Sequence, residues 1–121
     1  MLKDDFFTIS SIQKENNSFK IMLELNAMHK IFEGHFPGQP VVPGACMLQI
    51  VKEVTENILS KKMRLAKADN IKFLLLINPN EHRTLQMDLT FNISGDGIAN
   101  VSANLSNGSS ACFKFSGSFQ C

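Results

Sequence analysis

One imidazole stands in a stretch that carries no other ionisable side chain. Between Gly34 and Gly44 the chain reads Gly-His-Phe-Pro-Gly-Gln-Pro-Val-Val-Pro-Gly, and His35 is its one titratable residue. Three of the chain's four prolines and three of its seven glycines fall in this segment. Neither helix nor strand survives that density, so the spacing predicts a stiff loop. An imidazole titrating near neutrality on a rigid loop suits proton transfer. Gly44 ends the loop where a helical pattern begins, and the free N–H groups of a helix start favour negative charge. A base beside an oxyanion donor can take a proton from a carbon next to a carbonyl. The same residues also serve as ordinary polar loop positions, and spacing alone leaves both readings open.

The elements that must hold this loop are legible as two periodicities. From Ala45 to about Lys62 the pattern is helical: Cys46, Met47, Ile50, Val51, Val54 and Ile58 form an apolar stripe. Gln49, Lys52, Glu53, Glu56, Asn57 and Ser60 form the opposite, polar stripe. Elsewhere the period is two. Phe19, Ile21, Leu23 and Leu25 alternate with polar residues, and Asp5 to Ser10 can form a shorter strand before the Glu15-Asn16-Asn17 turn. Ile71 to Ile77 is an apolar run, broken only by Lys72, that suits a central strand. Leu85 to Ile93, Ala99 to Leu105 and Ala111 to Phe119 alternate again, separated by Ser94-Gly95-Asp96-Gly97 and by Asn107-Gly108, a hairpin signal. Two strands, a proline loop, one helix and a four-stranded antiparallel meander make an α+β layer architecture.

Composition narrows the function. A chain of 121 residues, 44% hydrophobic and 19% charged, fits a single globular domain over 1–121. Twelve basic against eleven acidic residues leave a formal net charge of +1, no global field for nucleic acid or a membrane surface. The absence of Tyr and Trp removes much of the usual base-stacking repertoire. No apolar run approaches the length of a bilayer span, and no charged start leads into a signal segment, so the expected location is the cytoplasm. Cys46, Cys112 and Cys121 are far apart and odd in number, which predicts free thiols rather than a metal site or disulfides.

The loop also resembles something specific. His29-Lys30-Ile31-Phe32-Glu33-Gly34-His35-Phe36-Pro37-Gly38-Gln39-Pro40-Val41-Val42-Pro43-Gly44 is similar to the signature of the FabA/FabZ-type 3-hydroxyacyl-(acyl carrier protein) dehydratases. Lys67-Ala68-Asp69-Asn70-Ile71-Lys72-Phe73 resembles a weaker family block, and the likeness spans about 19 to 119. The resemblance implies a hotdog fold, an antiparallel sheet wrapped around one long central helix. It implies dimers joined edge to edge, or higher multiples, with two sites at the interface. His35 would act as base at C2 of the substrate. The Gly44 N–H would hold the thioester carbonyl, the Val41 carbonyl would orient the His35 ring, and Phe36 and Ala45 would belong to the substrate-binding site. An acid on the partner's helix would protonate the leaving 3-hydroxyl.

At that last point the sequence departs from the family pattern. The family acid, five residues beyond Gly44, falls on Gln49, and the family glutamine four residues further falls on Glu53. Gln can hold a hydroxyl but cannot protonate it. Residues i and i+4 share a helix face, so Glu53 places a carboxylate one turn away. Both can equally be polar-face residues. Family members also usually open with a His-Arg-aromatic-Pro-like stretch that helps cover the acyl tunnel, where residues 1–18 carry Asp4-Asp5-Phe6-Phe7.

Lys61, Lys62, Arg64 and Lys67 gather four basic residues within seven positions. They can dock an acidic acyl carrier protein or complement the helix C-terminus. His29 and His82 receive no role. The expected function is dehydration of a 3-hydroxyacyl thioester, on a carrier protein or CoA, to the trans-2-enoyl product in fatty-acid or related lipid synthesis. No metal or redox cofactor is expected, and the phosphopantetheine arm belongs to the substrate. The alternative is a catalytically impaired homologue that binds acyl thioesters or forms a heterodimer with an active dehydratase. A hotdog thioesterase ranks behind both.

Overall fold

Alternating side chains become strands over most of the chain, and the one helical stripe becomes the one long helix. A computed structural model describes residues 2–33 and 40–121. In chain order these form β1 (Phe7–Glu15), β2 (Ser18–Leu25), a 3-10 turn (Lys30–Phe32), α1 (Gly44–Leu59), β3 (Arg64–Phe73), β4 (Thr84–Ile93), β5 (Ile98–Ser106) and β6 (Ala111–Gln120). The strands make one six-stranded sheet in the order β1-β2-β4-β5-β6-β3. Every pairing between these strands is antiparallel.

Register follows the apolar pattern. Ile21 lies opposite Met87, Met87 opposite Leu105, and Leu105 opposite Phe113. The adjacent inward row runs Phe19, Leu89, Ala103 and Phe115. Because side chains alternate across a strand, these residues share one face of the sheet. That face and the α1 stripe of Cys46, Met47, Ile50, Val51 and Val54 form one buried cluster. The turns use predictable residues: Asn16 and Gly108 adopt positive φ between the strands they join.

Three expectations need correction. The helix starts at Gly44 and stops at Leu59, where Ser60 caps it in the left-handed conformation and the Lys61 N–H reaches the Glu56 carbonyl at 3.2 Å. The expected four-stranded meander is three-stranded, β4-β5-β6; β3 pairs with β6 and forms the far edge. Ile71 to Ile77 is therefore no central strand. Its first part ends β3, Leu74 to Leu76 are exposed, and only Ile77 is buried. An apolar run signals burial on both faces, and among the described residues nothing covers Leu74 to Leu76.

The segment before β1 is also ordered. Phe6 and Phe7 are fully buried, and the Asn26 N–H bonds the Phe6 carbonyl at 2.8 Å.

Candidate active site

The loop residues His35 and Phe36, together with Gly34 and 37–39, lie outside the described residues. The loop's exit is described. Pro43 holds an extended backbone (φ −62°, ψ 146°) and caps α1 without a side-chain bond. Proline tolerates this position because it has no N–H to satisfy. The Cys46 and Met47 N–H groups fold back on the Pro43 carbonyl at 3.0 and 3.2 Å. Gly44, first residue of the helix, is left with an N–H for which no intrahelical acceptor exists. The Val42 N–H bonds the Ile77 carbonyl at 2.9 Å, which ties the loop's exit to the segment after β3.

That tie builds a groove. Val42, Gly44, Met47 and Phe73 to Leu76 line an apolar cavity of about 340 Å³ over the helix start. Gly44 and Phe73 approach closely there: a Cβ on Gly44 would lie 2.7 Å from Cε1 of the Phe73 ring. Phe73 also stacks at a tilt on Phe113, with centroids 5.2 Å apart. The arrangement offers one backbone donor at the positive end of a helix beside a hydrocarbon surface. Ala45 is exposed and Val41 half-buried at its border.

Gln49 and Glu53 are elsewhere. At 100° per residue, Gln49 lies roughly 140° around the helix from Gly44. The two open on a second cavity of about 360 Å³, shared with Lys3, Lys52, Glu56, Lys61 and Lys62. Gln49 is half-buried, but Glu53 is only 1% exposed, so the polar stripe is not a solvated face throughout. The Glu53 carboxylate is saturated with donors. The Leu2 N–H reaches Oε1 at 3.0 Å and Oε2 at 2.9 Å, the Lys3 N–H reaches Oε1 at 2.7 Å, and Gln49 Nε2 reaches Oε2 at 2.7 Å. Burial pushes the Glu53 carboxyl up, but the bonds from Leu2, Gln49 and Lys3 outweigh it and hold the group below its ordinary value. Glu53 is thus kept ionised, the opposite of what a general acid needs.

The N-terminal segment has a second anchor. His29 Nδ1 accepts the Ile31 N–H at 3.1 Å and caps the 3-10 turn, which puts the neutral imidazole's proton on Nε2, 3.1 Å from Asp5 Oδ2. The His29 ring meets Phe6 edge-on at 5.3 Å, and Phe6 packs on Phe32 at 5.4 Å. Sequence reasoning assigned His29 nothing. It also missed the Glu53 clasp, because the donors are backbone amides 50 and 51 residues away. The aromatic pair Phe6-Phe7 was the available signal that this segment is buried.

The basic residues divide. Lys61 and Lys62 rim the second cavity, whereas Arg64 and Lys67 stand on β3. Lys67 Nζ lies 3.3 Å from Asp69 Oδ1, and Lys52 Nζ 3.3 Å from Glu56 Oε2. Cys46 and Cys112 are buried free thiols that burial pushes up, and Cys121 is an exposed one. No helix among the described residues is long and apolar enough to cross a membrane.

A six-stranded antiparallel sheet around one long helix is the hotdog architecture, and solved structures bear this out. The dehydratase heterocomplex ApeI:P from Xenorhabdus doucetiae superposes with a TM-score of 0.71 at 17% identity, over 93% of this chain and 96% of that one. An uncharacterized protein from Erwinia carotovora subsp. atroseptica does so with a TM-score of 0.63 at 25% identity, over 93% and 90%. Residues 11–104 match the ApeI-like family model, described as ApeI dehydratase, and the chain belongs to that family. Among curated relatives, the 3-hydroxyacyl-(acyl-carrier-protein) dehydratase FabZ of Oenococcus oeni is 30% identical over 81 residues. That match spans 61% of this chain and 57% of the relative, little more than half its length.

Proposed function

We propose that this chain is a subunit of a 3-hydroxyacyl-thioester dehydratase acting on acyl groups carried by phosphopantetheine. The observation that carries the reading is the helix start at Gly44, which lines the apolar groove with Phe73 to Leu76 at the end of the His35 motif. The thioester carbonyl accepts from the Gly44 N–H, which stabilises the enolate-like charge that develops as His35 removes the C2 proton. The C2–C3 double bond forms as the C3–O bond breaks, and the hydroxyl leaves as water with a proton balanced by the one His35 takes from C2, delivered from His35 or from an acid on the partner's helix. The reaction moves a proton and water but no electrons, so the reading assigns no redox cofactor.

The reading needs a second subunit. Gly44 and Gln49 open on different cavities of one chain. Edge strand β3 supports pairing: it is exposed along its length, and the apolar run beside it reaches 77% exposure at Leu76. Such an edge invites another strand. Light scattering at micromolar concentration is expected to give a dimer or a multiple, with itself or with a homologous partner; a monomer argues against the shared site. The basic residues Lys61, Lys62, Arg64 and Lys67 are assigned to docking an acidic carrier protein.

A second reading has its own support. Gln49 has no proton to give, and Glu53 is held ionised by its three donor groups. These facts favour a homologue that binds the acyl thioester while an active partner does the chemistry. Product analysis separates the readings: enoyl thioester, unchanged substrate, or, for a thioesterase, free acid and thiol. For the first reading, His35→Ala is expected to lower the dehydration rate on the order of 10²–10⁴-fold. An unchanged rate overturns the assigned mechanism.

A further inference from the structure

One imidazole outside the proposed site caps a turn. His29 Nδ1 accepts the Ile31 N–H at 3.1 Å and closes the start of the 3-10 turn Lys30–Phe32. The last bond of that turn, from the Glu33 N–H to the Lys30 carbonyl at 3.0 Å, lies two positions before His35 in the chain. We propose that His29 is a pH-sensitive positioning residue: neutral, it caps the turn that leads into the His35 motif, and protonated, it cannot. The inference rests on the dehydratase reading for its effect on turnover, and on hydrogen bonding alone for its effect on the turn.

A neutral imidazole has one donor and one acceptor, whereas an imidazolium has two donors and no acceptor. Once charged, His29 has no lone pair for the Ile31 N–H, and turning the ring over does not restore one. The gain in exchange is small. Nε2 lies 3.1 Å from Asp5 Oδ2, but the Asp5 side chain is 70% exposed, and ion pairs open to water contribute little. Asp5 and Lys30, one of each sign, are the charged groups of the small cavity that His29 lines with Asn26 and Met28.

The cap also joins two parts of the chain. The His29 ring meets buried Phe6 edge-on, and Phe6 packs on buried Phe32, so three rings link the N-terminal segment to the turn. Asn26 completes the joint: its Nδ2 donates to the Asp5 carbonyl and its Oδ1 accepts the Met28 N–H, both at 3.0 Å. Leu2 and Lys3 are held separately, by Glu53. Imidazoles change charge between about pH 5 and 8, carboxylates below that range. Mild acid therefore releases the turn and leaves the Glu53 clasp closed.

Amide exchange and turnover of the full chain, both followed from about pH 8 to about pH 5, test this. Corrected for the intrinsic pH dependence of exchange, protection of the Ile31 amide is expected to fall about two- to thirtyfold as the His29 ring takes up its proton, the range spanned by loss of an N-cap. The Leu2 and Lys3 amides stay protected. His29→Asn supplies a carboxamide oxygen that caps the same N–H and never titrates, so its Ile31 amide stays protected throughout. His29→Ala lacks the cap at every pH. Turnover of a 3-hydroxyacyl thioester is expected to fall more steeply than the first power of proton concentration in the wild type. In His29→Asn it follows the first power, that of His35 alone. Wild-type Ile31 protection that ignores the charge on His29 overturns the inference, and this readout needs no variant. An acid limb equally steep in the wild type and His29→Asn also overturns it. No turnover at any pH overturns the dehydratase reading, and the exchange measurement then decides the inference by itself.

Discussion

The ring of Phe73 fills the space in which a side chain at Gly44 would lie, with Cε1 2.7 Å from the Cβ position. The helix start and the edge strand thus share one small volume, although 29 positions separate them in sequence. Phe73 is 58% exposed, so its ring can swing away from an added methyl. Gly44→Ala is expected to change stability by less than about 1 kcal/mol, since alanine favours the helix. It should lower thioester turnover at least about tenfold by crowding the N–H. Gly44→Ala/Phe73→Ala should recover part of that loss, and the coupling is read from the four rates of the double-mutant cycle.

Gln49→Glu is expected to raise the dehydration rate, by up to roughly 10²–10⁴-fold if general-acid assistance is restored. The new carboxyl would replace an N–H donor that now sits 2.7 Å from Glu53 Oε2. Two carboxylates that close cannot both ionise freely, so one is driven to keep its proton, as an acid must. The rate is measured on one 3-hydroxyacyl thioester across pH. No gain at any pH removes Gln49 from the proton path.

Acid should loosen the N-terminal segment before it unfolds the sheet. The folded-state pKa of Glu53 is held down, so its stabilising effect is fully present above the ordinary glutamate range and is lost as pH falls through the lowered value. Lys3, Lys52 and Glu56 line the same cavity and set the charge around it. Hydrogen exchange at the Leu2 and Lys3 amides should accelerate selectively below that range. Glu53→Ala should show the loosened segment at neutral pH, with a stability loss of about 1–3 kcal/mol in urea unfolding.

Charge reversal of Lys61, Lys62 and Arg64 together should slow association with an acidic carrier protein and flatten its salt dependence. Dissociation should change less. Stopped-flow rates at two ionic strengths check this. An unchanged association rate returns the three residues to a structural role at the end of α1.

The periodic parts of this fold were legible because period and burial agree. Ile21, Leu23 and Leu25 alternate and are buried; Met47, Ile50, Val51 and Val54 recur at helical spacing and are buried. The run Ile71 to Ile77 misled because hydrophobicity reports only that a surface seeks cover. It does not say whether the cover lies in the same chain. Of the candidate site, the motif and the helix start were readable, since proline and glycine at fixed spacing dictate backbone. Glu53 was readable only as a carboxylate one turn from Gln49. Its partners are peptide N–H groups, which every residue but proline carries and which leave no mark in a sequence.

Strand β3 slips register twice against β6, between Leu65 and Lys67 and between Ala68 and Asn70, and the Lys67 carbonyl closes on the flat face of Gly117. Bulges bend a strand and interrupt its row of free amides. The open edge is therefore notched like a key, with its longest regular stretch running from Asn70 to Phe73. A strand of another protein, straight and indifferent, finds few consecutive bonds along it. Only a partner cut with the matching irregularity can lie along the whole length, so the same feature that leaves this edge open also restricts who may close it.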